Sequence, residues 1–320
     1  MNYAYHWQPT ATLEVVKLRM NVYQQIRQFF AARGVLEVET PILSAGSVPE
    51  PAIEPLYTHY HHTHAVKQLF LQTSPELAMK RLLAAGSGAI YQICKVFRDG
   101  ESGRWHNPEF TMLEWYRPHF TVDELLSEID ALLQLLLQTP ELEKVDYCDI
   151  FEQHTDLDAL HTPLDILQKY VSRFGIDGQH LDRDACLQLI LSQEIEPYLA
   201  QIHPLAIINF PATQAALARK HPENPLLAER FEIYVRGVEL ANGFQELTDP
   251  LEQEQRFEAD LVKRHALKQG VYPLDEHFLA ALHAGMPPTS GVAIGLDRLL
   301  MLLTQSGHIR EVLTFSIENA

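Results

Sequence analysis

The 320-residue chain is 46% hydrophobic and 21% charged, with a formal net charge of −17 at pH 7. This is globular composition, with apolar material for a large core in one domain or two. The acidic balance argues against nucleic acid as the main partner, because phosphate contacts supply most of a duplex binder's affinity. Three dispersed cysteines, Cys94, Cys148 and Cys186, show neither a metal spacing nor a disulfide framework and fit a reducing cytoplasm. The N-terminal MNYAYHWQPTATLE lacks the basic-then-apolar pattern of a signal peptide. The longest apolar stretch, LLQLLL at 132–137, is too short to span a bilayer.

In chain order, Thr12 to Arg33 reads as a helix with Val16, Met20, Tyr23 and Phe30 at helical spacing and Gly34 as its stop. VLEVETPIL alternates as a strand closed by Pro41. Residues 44–66 are loop-like. They hold four histidines, His59, His61, His62 and His64, which read as a solvated loop or edge hairpin, or else as metal ligands, although no carboxylate or cysteine stands at a ligand spacing. TSPELAMKRLLAAG is a helix capped by Thr73 or Ser74, with Pro75 in its first turn and Gly86 at its end. AIYQICKVF and PEFTMLEWYRP flank the polar loop 98–107 as two strands of an antiparallel hairpin.

VDELLSEIDALLQLLL is an amphipathic helix. Residues 139–205 are less legible, with helical stretches at 163–174 and 184–193. LAIINFP at 205–211 reads as a buried strand, and RFEIYVRGVELANGFQEL at 230–247 as a hairpin turning at Arg236–Gly237. PLEQEQRFEADLVKRHALKQG is a surface helix, and SGVAIGLDRLLMLLTQ reads as strand, glycine turn and buried helix. No repeat, linker or sharp domain boundary is visible.

Strand parity puts Phe110, Met112, Glu114 and Tyr116 on one face. Glu114 among aromatic groups requires a cation or donors, which a ligand amine or an internal Arg or Lys would supply. If Arg236–Gly237 is a two-residue turn, Tyr234 lies opposite Glu239 and Glu232 opposite Ala241, so Glu232 and Glu239 are diagonal neighbours on one face. Two such carboxylates suit Mg²⁺, or else face solvent on an edge hairpin. Glu246 adds a third acid. Arg98 and Arg298 are candidate phosphate ligands, and Gly295 at a strand-to-helix turn allows close approach of a ligand to backbone.

A proline after an early strand, an arginine-led loop ending in HNPEF and a late G-x-D-R together resemble the three signatures of class II aminoacyl-tRNA synthetase catalytic domains. TSPELAMKRLL, HNPEFTMLEW, RFEIYVRGVELANGFQELTD and GVAIGLDRLLML are similar to the lysyl branch, from about Thr12 to the C-terminus. No room remains before Thr12 for the N-terminal anticodon-binding barrel of lysyl-tRNA synthetases. A stand-alone domain with LEWYRP resembles the elongation factor P–(R)-β-lysine ligase family. Ser74 and Ala293 stand where the tRNA enzymes usually have alanine and glycine.

The resemblance implies an α+β fold, a single catalytic domain over 1–320 with an antiparallel sheet flanked by helices, and a homodimer formed through the first helix and the Pro41 strand. It implies ATP and Mg²⁺. Arg98 would grip the α-phosphate and reacting carboxylate, His106 and Asn107 the nucleotide, and Phe110 would stack on adenine. Glu239 and Leu240 belong to the nucleotide site, Glu232 and Glu239 would hold Mg²⁺, Arg298 the γ-phosphate end, and Gly295 would pack under the nucleotide. Ser74, Pro75, Glu76, Glu114, Tyr116, Asn242, Glu246 and Ala293 match a diamino-acid pocket. The usual Arg-x-Glu loop reads Arg98-Asp99-Gly100 here, so Glu101 or Asp99 takes the glutamate's part. The implied reaction is adenylation of (R)-β-lysine and its transfer to a lysine of elongation factor P in the cytoplasm, with no membrane and no tRNA as main acceptor. A truncated lysyl-tRNA synthetase and an amino-acid-sensing paralogue are the alternatives.

Overall fold

The Thr12 hydroxyl accepts the Val15 N–H and opens α1, Leu13–Ala31, which buries Val22, Ile26, Phe29 and Phe30 at helical spacing. The computed structural model describes residues 7–62, 65–200 and 203–320; His64 therefore lies outside the described residues. The chain divides into two compact units, one formed by Met1–His119, Thr248–Thr289 and Ala293–Ala320, the other by Phe120–Leu247 and Ser290–Val292.

In the first unit, the strand expected over 35–43 is cut short. Only β1, Leu36–Glu37, and β2, Leu43–Ser44, pair, because Pro41 lacks an N–H and holds Thr40 away from continued pairing. Of the two readings of the histidine stretch, loop or edge hairpin, the hairpin is the one observed. β3, Tyr57–His62, pairs antiparallel with β4, Ala65–Leu71, and β2 pairs the other edge of β4. Its outward face is exposed, so no hydrophobic alternation marks it. α2, Glu76–Ala84, leads to Gly86 at φ +85°. β5, Ile90–Phe97, and β6, Glu109–Pro118, form the expected antiparallel hairpin, with Gln92 opposite Glu114 and Cys94 opposite Met112.

The second unit begins with α3, Val122–Leu137, closed at its start by a capping box between Thr121 and Glu124. The poorly legible stretch resolves into β7, Glu143–Asp146, followed by α4, Tyr147–Thr155, α5, Leu164–Val171, α6, Arg183–Ile190, and α7, Glu196–Leu199. These helices bury Phe151, Leu187 and Ile190 against Phe210 and Tyr234 of the sheet. β8, Leu205–Pro211, β9, Leu227–Val235, and β10, Val238–Gln245, follow. The β9–β10 turn has Arg236 at φ 51° and Gly237 at φ +75°, the left-handed pair that a two-residue hairpin needs.

The chain then returns to the first unit through α8, Pro250–Ala266, α9, Glu276–Ala284, β11, Thr289–Gly295, and α10, Leu296–Thr304. The first unit carries the strand order β1-β5-β6-β11, and the second β11-β10-β9-β8-β7, with Ser290–Val292 of β11 belonging to it. Pairing is parallel at β1–β5 and β7–β8 and antiparallel at β5–β6, β8–β9 and β9–β10. The α+β class expected from the sequence is the one observed.

Candidate active site

The first unit holds an acid pocket where α2 begins beside β6. Glu114 is only 2% exposed. Tyr116 Oη donates to its Oε1 at 2.5 Å and Ser74 Oγ to its Oε2 at 2.9 Å. Ser74 also accepts the Glu76 N–H at 3.0 Å, and Pro75 is the N-cap residue between them. Glu76 is paired with Lys80, one turn along α2, at 2.5 Å, and Lys80 is 1% exposed. Burial, reinforced by the charge of Glu76, pushes the Glu114 carboxyl up to about 7; the Tyr116 and Ser74 hydrogen bonds and the Lys80 charge pull the other way. The internal lysine is paired with Glu76 and its charge also reaches Glu114, whose two oxygens accept from the neutral donors Tyr116 and Ser74, an arrangement that suits an incoming ammonium.

The loop after β5 carries the arginine. The Arg98 guanidinium lies 5.2 Å from the Phe110 ring and 3.5 Å from Glu101 Oε1. Asp99 is turned to its own backbone: its Oδ1 accepts the Gly100 N–H at 2.9 Å, with Gly100 at φ +75°. Asp99 N–H donates to the Glu54 carbonyl at 2.7 Å, and the Glu54 carboxylate is held by the fully buried Arg264. Asn107 spends both ends of its amide on backbone, donating to the Glu109 carbonyl at 2.6 Å and accepting the Ile317 N–H at 3.1 Å. It shapes the loop. His106 Nε2 meets Arg298 Nη2 at 2.8 Å. Gly295 is the N-cap residue of α10, and alternation along β11 puts Ala293 on its side of the strand, both half-buried. Asp297 of the same GLDR run is buried, paired with Arg19 at 2.5 Å and accepting the Thr111 N–H at 2.6 Å.

The hairpin of the second unit corrects one expected register. Tyr234 does lie opposite Glu239, but Glu232 lies opposite Asn242 and not Ala241. A β-bulge at Leu240 is the cause, since it adds one residue to β10. Glu232 and Tyr234 share a face of β9, so their partners Asn242 and Glu239 share that face too, although they stand three apart on β10. Leu240, the residue at the bulge, is buried. Gly243 is required beside it, because a Cβ there would meet the Phe231 ring and the Gly291 carbonyl. Glu246 is buried just beyond the strand.

Arg230 pairs with Glu232 Oε1, and Tyr234 Oη donates to Oε2 at 2.7 Å. Burial raises the Glu232 carboxyl above the usual range, Arg230 opposes this and the Glu239 charge adds to it. Two oxygen donors whose negative charges disfavour each other fit a hard divalent cation such as Mg²⁺. Among the described residues, no group of three or more His, Cys, Asp or Glu is placed to hold a metal, His59 and His61 included.

The sequence matches the family of class II tRNA synthetases (D, K and N) over residues 2–319. The chain belongs to this family. Similar relatives within it include elongation factor P–(R)-β-lysine ligases from Edwardsiella ictaluri, 47% identical, and Histophilus somni strain 2336, 48% identical. The ligase of that name from Haemophilus influenzae strain Rd is 46% identical, and each comparison covers 98% of both chains. In this class II chain, the first unit gathers Ser74, Pro75, Glu76, Glu114 and Tyr116 in one place and Arg98, Glu101 and Phe110 in another. The second gathers Glu232, Glu239 and Asn242. Lys80 and Arg230 escaped the reading of the sequence, and Asp297, the acid of G-x-D-R, was given no role there. The first two carried a signal: Glu76 and Lys80 are spaced i, i+4 on a helix, and Arg230 shares strand parity with Glu232.

Proposed function

We propose that this protein activates (R)-β-lysine with ATP and transfers it to the ε-amine of a lysine of elongation factor P. The observation that carries this reading is Glu114, a buried carboxylate held by Ser74 and Tyr116 beside a second acid, which is what a diamino acid's ammonium would meet. The names of relatives that match from end to end supply the identity of amino acid and acceptor. The substrate carboxylate attacks the α-phosphorus in line and pyrophosphate leaves; the acceptor amine then attacks the mixed anhydride, forming an amide and releasing AMP. Arg98 binds the α-phosphate and carboxylate, Arg298 the γ-phosphate end, and Phe110 the adenine, with His106, Gly295 and the Leu240 backbone beside the nucleotide. Positioning and charge neutralisation provide the acceleration. Glu232 and Glu239 would hold Mg²⁺, whose charge offsets that of the phosphates. Asn242, Glu246 and Ala293 are the remaining residues assigned to the amino acid.

Exposed Leu13 and Met20 on α1, with Leu36, Ile42 and Leu43, support a homodimer through that surface. Free cysteines support a cytoplasmic setting. Among the described residues no helix is long and apolar enough to cross a membrane. The net charge of −17 disfavours tRNA as acceptor. The test offers elongation factor P and bulk tRNA together to the enzyme with ATP and labelled (R)-β-lysine. Label in an alkali-stable amide on one protein lysine is expected; label in an alkali-labile tRNA ester would overturn the acceptor assignment.

A further inference from the structure

Arg230, on β9, is assigned no part in the reaction described above, yet its guanidinium is almost entirely engaged. Nη2 holds Glu232, Nη1 donates to the Gln214 carbonyl, and Nε donates to Asn242 Oδ1 at 3.3 Å. Its Cζ lies over the Phe210 ring, 4.6 Å from the centroid, and the side chain is 15% exposed. The ladder explains the convergence. Arg230 and Glu232 are two apart on one strand, Asn242 is the cross-strand partner of Glu232, and all three share a face.

A guanidinium has donors only, so the Asn242 atom that meets it must be the carbonyl oxygen. The amide is thereby locked, and its NH2 group is left on the other side, a donor that accepts nothing. We propose that Arg230 is a positioning residue that fixes the Asn242 amide with its NH2 group turned to the ligand, through the same guanidinium that holds Glu232. The ligand group facing Asn242 is then an acceptor, and on the function proposed above, on which this inference rests, it is the amino acid's carboxylate. One cation thus sets the geometry of an amino-acid contact and of a metal-holding acid. A lysine at this position keeps the charge but lacks the planar fork that reaches three acceptors.

The experiment measures amino-acid-dependent pyrophosphate exchange for wild type, Arg230→Lys, Asn242→Ala and the double variant. Arg230→Lys is expected to raise the KM for (R)-β-lysine about tenfold, the scale of one lost hydrogen bond to a charged group. Asn242→Ala in the Arg230→Lys background should add less than about twofold, because the two residues act as one contact. Fully multiplicative effects would overturn the proposal.

A second readout needs neither activity nor a folded Arg230 variant. Exchange of the Arg230 Nε–H with solvent, followed by NMR, should be slow in wild type and about tenfold faster in Asn242→Ala, where its acceptor is gone. An unchanged exchange rate would overturn the positioning role. Absence of amino-acid-dependent exchange in the wild-type enzyme, with this NMR difference intact, would reject the functional reading and leave the positioning role standing.

Discussion

The Ser74 hydroxyl donates to Glu114 Oε2 at 2.9 Å while accepting the Glu76 N–H, so one small side chain ties the start of α2 to the buried acid of β6. Ser74→Ala removes one of the two donors that favour ionised Glu114. Its carboxyl, already near 7, should rise further. A cationic substrate prefers the ionised form, so the pH at which the amino-acid KM begins to fall should move upward. Pyrophosphate exchange measured across pH 6–9 checks this, and an unmoved profile would contradict it.

The same shift bears on stability. The native state keeps the Glu114 proton between about 4.3, where an unfolded glutamate releases it, and about 7. Over that window the native state binds more protons, and the contribution of this group to stability falls as pH rises. Glu114→Gln has no such loss. Denaturant unfolding at pH 5 and pH 8 should show the variant gaining relative to wild type at the higher pH.

Glu101 faces Arg98 whereas Asp99 is folded onto the Gly100 N–H. Arg98→Ala should slow adenylate formation by about 10²–10³-fold, the scale for one transition-state donor. Glu101→Ala should raise the KM for ATP, and Asp99→Ala should raise it less. The reverse order, in steady-state exchange kinetics, would transfer the role to Asp99.

Ala293 is half-buried on the side of β11 that also carries Gly295. Ala293→Gly should improve use of α-lysine relative to (R)-β-lysine by about tenfold or more, the usual effect of one methyl group in a tight site. The ratio of kcat/KM for the two substrates is the readout.

Asp297→Asn leaves the Arg19 cation without its carboxylate. Breaking a buried pair from one side costs about 3–5 kcal/mol. Thermal unfolding should show the loss, whereas Arg298→Ala, at a neighbouring but more exposed position, should alter turnover more than stability.

Much of this arrangement was legible because parity and period are local properties. The alternation of PEFTMLEWYRP put Glu114 and Tyr116 on one face, and Arg236–Gly237 announced its turn. The β3–β4 hairpin was legible only as one of two alternatives, loop or edge hairpin, because Tyr57, Tyr60 and Val66 are exposed, and an exposed ribbon writes no hydrophobic alternation. The pairing of Glu232 was misread by one residue. A bulge is a property of two strands together, and nothing in ELANG taken alone marks Leu240 as the extra residue. Arg19 and Asp297, 278 positions apart, meet only through the fold.

The bulge also divides the hairpin into two independent rulers. Glu239 is placed by the length of the turn, counted from Arg236–Gly237, whereas Asn242 and Glu246 are counted from the far side of Leu240. A one-residue insertion in the turn should displace Glu239, the acid proposed to hold Mg²⁺, and spare Asn242 and Glu246, proposed to meet the amino acid. An insertion just after Leu240 does the opposite. Length changes in this short stretch therefore dissociate the two kinds of contact, and substitutions that keep its length leave them in step.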